Sequence, residues 1–92
     1  KGAQAAEYSI RAIRNLLRDA FMPKDLHRFC QERPRFSPIL GHFGLNASEE
    51  EMIDVVIDYC QTWLLFGELL TEIREYNPRQ YARYKDQVIK NK

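Results

Sequence analysis

The stretch EYNPRQYARY, Glu75 to Tyr84, decides how much of the chain belongs to the fold. A proline sits directly after an apolar helical run, and two tyrosines follow it, three residues apart. Residues before proline avoid the helical region, so Asn77 ends the helix that precedes it. Asparagine is also among the best helix N-caps. Pro78 then takes the first helical position, where a missing N–H costs nothing. Gln80 falls at N3, within reach of the cap, and Tyr76 and Tyr81 stand where a hydrophobic staple would place them. Tyr81, Tyr84 and Val88 continue an apolar stripe at i, i+3 and i+7. The stretch therefore reads as the start of a further packed helix. Only Lys90 to Lys92 are expected to fray.

Working outward, helical spacing recurs almost throughout and no strand pattern survives. Ile10, Ile13, Leu17, Ala20 and Phe21 form the first stripe, on a helix expected over about residues 5–20. Pro23 suits the first position of a second helix, marked by Leu26, Phe29 and Cys30 and ending before Pro34. Ser37-Pro38 reads as a cap and first position of a short third helix, stopped by Gly44. Ser48 and Glu51 form a capping box ahead of a fourth. Met52, Val56, Tyr59, Cys60 and Trp63 are expected to line its inner face. An unbroken helix from Glu49 to Tyr76 would be about 42 Å long at 1.5 Å per residue, too long for a compact domain of this size. A turn is therefore expected between Gln61 and Leu65. Six helices result, the last opening at Asn77, and the fold class is an all-α bundle.

The chain has 92 residues, 45% apolar and 12% aromatic, which reads as one globular domain. Fourteen basic residues face thirteen acidic ones, for a net charge of +1. That balance disfavours a dedicated nucleic-acid binder. Cys30 and Cys60 lie in apolar helical patterns and read as buried free thiols of a reducing, cytoplasmic compartment. No apolar run reaches membrane-spanning length. The chain opens Lys1-Gly2 with no methionine, so residues 1–4 read as cloning-derived or flexible, ahead of a single domain over 5–89 excised from a longer protein.

His27, Cys30, His42 and Cys60 are the residue types that hold zinc, and His27 and Cys30 are i, i+3 on one helix. The remaining spacing fits no zinc pattern, and both cysteines suit the apolar faces, so no metal or other cofactor is expected. No catalytic residues are assigned. Glu49, Glu50 and Glu51 complement a helix N-terminus better than they suggest acid catalysis. They also make a poor opening for a recognition helix that must face phosphate.

Charge is sorted by helix. Arg11, Arg14 and Arg18 make a basic stripe on the first helix, and Glu50, Asp54 and Asp58 an acidic stripe on the fourth. Glu68, Glu72 and Glu75 make another on the fifth, and Arg79 and Arg83 a basic strip on the sixth. Solvated faces would explain any one of them. Together they suggest a protein-interaction module docking on a copy or a relative of itself. The alternative is a small nucleic-acid-binding domain using Arg11, Arg14 and Arg18.

The runs IRNLLRDAFMPKDLHRFCQERPRFSPIL and DVVIDYCQTWLLFGELLTEIREYNPRQYARY resemble the bacterial effector-associated domains. The match is carried by Leu16-Leu17, Ala20-Phe21, Leu26, Phe29-Cys30, Pro34, Phe36, Ile57, Tyr59, Leu69-Leu70, Asn77-Pro78 and Tyr81, in order over about residues 8–84. The chain departs from the family pattern at Met22, where a polar cap is common, and at Gln61 to Leu64, which lack the usual charged or glycine-containing turn. The resemblance implies a compact six-helix, death-like antiparallel bundle and a non-enzymatic adaptor of bacterial defence or conflict signalling. The partner it implies is a related death-like domain in the same or a neighbouring protein, with a homo-oligomer as a further outcome. Neither nucleic acid nor membrane is an expected partner.

Overall fold

A computed structural model describes residues 8–44 and 46–89. Ser9 opens the first helix: its hydroxyl accepts the Ala12 N–H at 3.2 Å, and α1 runs Ile10–Ala20. The sequence pattern began this helix at residue 5. Residues 5–7 lie outside the described part, and Tyr8 pairs with Ile89 in an isolated antiparallel bridge. The Ser9 N–H donates to the Val88 carbonyl at 2.7 Å, so the backbone entering α1 is held beside the chain's far end.

Helix α2, Pro23–Gln31, begins on its proline with Met22 as a cap that makes no side-chain hydrogen bond. The third element is a 3₁₀ helix, η1, over Ser37–His42. Its cap is Phe36, not Ser37. A turn starting at Arg33 already takes the Ser37 N–H, and the Ser37 hydroxyl donates back to the Pro34 carbonyl at 3.2 Å. Helix α3, Glu49–Trp63, carries the expected capping box: Ser48 accepts the Glu51 N–H, and the Glu51 carboxylate accepts the Ser48 N–H. Leu64 then turns left-handed, φ 58° and ψ 47°, and α4 follows over Phe66–Tyr76. The break falls inside the expected Gln61–Leu65 window. It keeps the molecule to 39 Å in its longest dimension.

Helix α5, Pro78–Val88, starts at the Asn77 cap and Pro78 as the opening stretch implied, but Gln80 does not reach back: the Asn77 N–H goes to the Ile73 carbonyl and the Gln80 oxygen accepts from Arg83. The Asn77 side-chain oxygen accepts the Gln80 N–H at 3.2 Å, while its amide donates to the Ala20 carbonyl at 3.3 Å. One side chain thus caps α5 and fastens it to the end of α1. Tyr76 stacks on Phe21 with ring centroids 4.8 Å apart and stays 41% exposed.

The core is centred on α1, which packs against both α3 and α5. Ile13, Leu16 and Leu17 are wholly buried, as are Leu26, Ile39, Ile53, Val56, Leu69, Ile73 and Val88 from the other helices. Val88 makes the last helix part of the core. Tyr81 and Tyr84 are only half-buried against it, and the Tyr84 hydroxyl donates to Asp19. That bond pushes the Tyr84 phenol above its ordinary range. The radius of gyration is 12.5 Å, close to the ~12 Å expected of a compact chain this long. Among the described residues the molecule is an all-α bundle with no strand, and no helix is long and apolar enough to cross a membrane.

Candidate functional site

The charged stripes of α1 and α3 pair with each other on the surface of the molecule. Helices α1 and α3 run antiparallel, so arginines four residues apart on one face carboxylates four apart on the other. Arg14 donates to Asp54 and lies 3.5 Å from Glu50. Arg18 grips one Glu50 oxygen through Nε at 2.8 Å and Nη2 at 2.6 Å, and donates from Nη1 to Asn15. The bond to Glu50 raises the Arg18 guanidinium further above its ordinary value. Two of the three α1 arginines expected to face a partner are therefore engaged at home. The basic face of α1 leaves Arg11 as its only arginine without an ion pair among the described residues, a thin footprint for a phosphate backbone.

Helix α4 repeats the pattern. Glu72 accepts from Arg33 Nε at 2.9 Å, and Glu68 lies 3.9 Å from Arg35. Arg33 also donates to the Phe29 carbonyl, and its guanidinium lies 4.1 Å from the centroid of the Phe29 ring. This arginine pins the α2–η1 loop to α4, a role its place between Glu32 and Pro34 does not advertise. Of the charges singled out in the sequence, Arg11, Asp58, Glu75, Arg79 and Arg83 have no ion pair among the described residues. Arg79 and Arg83 share one exposed strip of α5, and Arg83 donates to Gln80.

The four zinc-type residues do not converge. His27 lies against the Phe43 ring and His42 against Tyr59, both exposed, while Cys30 and Cys60 are buried free thiols. Among the described residues no three His, Cys, Asp or Glu side chains are placed to hold a metal ion. Burial pushes both thiols up to about 12, so neither is a ready nucleophile at neutral pH.

A hollow of about 420 Å³ lies between η1 and the last turns of α3, lined by His42, Val55, Asp58, Tyr59, Thr62 and Trp63. Tyr59 is its middle ring: centroids stand 6.5 Å from His42 and 6.4 Å from Trp63, with tilts of 45° and 47°. Trp63 was expected on the inner face, yet it is 63% exposed, and Leu64 beside it is 57% exposed. The apolar stripe of α3 continues for one more position, Trp63, after the core beneath it has ended at Cys60. Periodicity marks a face but not where the facing element stops. A second hollow of about 530 Å³ opens between Tyr8, Arg35, Leu64 and α4, but there Arg35 already faces Glu68.

Set against known proteins, the chain matches no family model, no curated protein and no solved structure.

Proposed function

We propose that the chain is a non-enzymatic adaptor module, akin to the bacterial effector-associated domains, that recruits or assembles effectors through contact with a related helical domain. The observation that carries this reading is the α3–α4 corner. Trp63 and Leu64, adjacent and large, are both more than half exposed there. Tryptophan is among the residues most enriched at binding hot spots. Asp58 lines the hollow beside Trp63, and the other uncommitted charges lie elsewhere on the surface as a second, polar patch. Arg79 and Arg83 stand on one helix, and Asp58 and Glu75 on two others. Exposed ion pairs contribute roughly 0–1 kcal/mol each, so a single contact of this kind is weak. Tight recruitment then comes from several modules bound at once in the full-length proteins.

The test is co-purification and calorimetry against a second copy of the chain and against any related helical domain that a neighbouring gene encodes. The expected result is a weak complex that loosens as salt rises. Replacing Arg79 and Arg83 together by Glu should abolish it without changing helicity. An unchanged complex with that double variant would remove the α5 strip from the surface. Absence of any complex, with duplex DNA shifted at physiological salt instead, would replace the adaptor reading with the nucleic-acid one.

A further inference from the structure

We infer that the hollow beside Trp63 receives an arginine side chain presented by the protein partner. The inference rests on the adaptor reading for the partner being a protein; the fit to a guanidinium group rests on the hollow itself.

Three features there favour a cation, each for a separate reason. The Asp58 carboxylate has no hydrogen bond or ion pair among the described residues. The last turn of α3 carries no basic residue, so the negative end of its dipole is uncompensated beside Trp63. The rings of His42, Tyr59 and Trp63 form a tilted arc, and aromatic faces, tryptophan above all, attract positive charge.

Guanidinium suits this grouping better than ammonium. It is planar, so it can stack on a ring, and it is weakly hydrated, so it leaves water readily. Its forked N–H groups can meet a carboxylate while the plane rests on an aromatic face. The molecule already holds one arginine between a ring and a carboxylate. Arg33 lies 4.1 Å from the Phe29 ring centroid and donates to Glu72 at 2.9 Å. Ring and carboxylate are present at Tyr59, Trp63 and Asp58 too, with no arginine of this chain paired to that carboxylate among the described residues. The volume of about 420 Å³ admits a whole side chain together with part of the backbone that bears it.

Trp63 is the chain's single tryptophan, so its indole N–H gives one signal in a nitrogen–proton spectrum and needs no assignment. The experiment titrates the isotope-labelled chain with a capped Gly-Arg-Gly peptide. Parallel arms use citrulline, which keeps the shape and loses the charge, and lysine. The expected result is a saturable shift of the Trp63 indole and of the Asp58 and Tyr59 amides, with millimolar affinity. The citrulline peptide should leave them unmoved, and the lysine peptide should bind more weakly. Asp58→Asn should weaken the arginine peptide by about tenfold. Because Asp58 is exposed, that variant should keep the wild-type helicity and melting temperature. Equal shifts with citrulline, equal affinity for lysine, undiminished binding by Asp58→Asn, or shifts that map elsewhere would each overturn the inference. Such a result with the adaptor complex intact rejects the hollow alone. Loss of that complex with arginine still bound here rejects the adaptor reading alone.

Discussion

Cys30 and Cys60 are packed so that their ionised forms have no solvent, which is why both thiols are pushed up to about 12. In the unfolded chain a thiol ionises near 8.5. Below that value neither state loses a proton and the fold keeps its full stability. Between about pH 9 and 12 the unfolded state sheds protons that the folded state retains, so stability falls as pH rises. Tyr84, raised by its bond to Asp19, acts in the same direction. The melting temperature should thus be flat to about pH 8.5 and then decline, with two thiols contributing at most about 2.7 kcal/mol per pH unit. Cys60→Ala should lower stability at neutral pH yet remove about half of the thiols' share of the alkaline decline. Thermal melts across pH check both. The burial of these cysteines was legible in the sequence because each falls on an apolar helical face. The conformation of Leu64 was not. Left-handed backbone is signalled by glycine or asparagine, and Gln61 to Leu65 contains neither.

At the level of helices, two boundaries were legible from a capping side chain, whereas the Ser9 cap of α1 was passed over because the apolar spacing ahead of it also looked helical. Ser48 with Glu51, and Asn77 with Pro78, carry their chemistry in the residue letters, and both helices start where read. Ser37 misled because the preceding turn had already claimed its N–H. The stripes of charge were legible as stripes, but which stripe faces which depends on how helices pack, and that is set by the core. The consequence for mutagenesis is direct. Replacing Arg14 and Arg18 together by Glu would place carboxylates against Glu50 and Asp54 across the α1–α3 seam. The melting temperature should drop by several degrees at low salt and recover partly at high salt, where like charges are screened. Adding Glu50→Arg and Asp54→Arg to the same chain should restore much of the loss. The variant is therefore a probe of folding. The α5 strip, Arg79 and Arg83, is the cleaner probe of docking because it has no ion pair among the described residues.

For the molecule as a whole, the question raised by Glu75 to Tyr84 has a physical answer. Helix α5 covers α1, seats Val88 in the core and is fastened by Asn77 to Ala20. A chain ending at Tyr76 should lose helical signal well beyond the residues removed, because α1 is left with an uncovered apolar face. Val88 alone accounts for about 1.5–3 kcal/mol of buried surface. A truncated chain that melts like the full one would show α5 to be an appendage. The bridge of Tyr8 to Ile89, with the Ser9 N–H on the Val88 carbonyl, has a mechanical meaning. A pull applied at Tyr8 and Ile89 loads that bridge first, together with the packing of the Tyr8 ring on Phe66. The force then peels α1 from α5 one turn at a time, as a zip opens, instead of shearing many contacts together. In that direction the bundle is soft, and tension on the chain through this one seam would open the core from α1 outward while the α3–α4 corner is still folded.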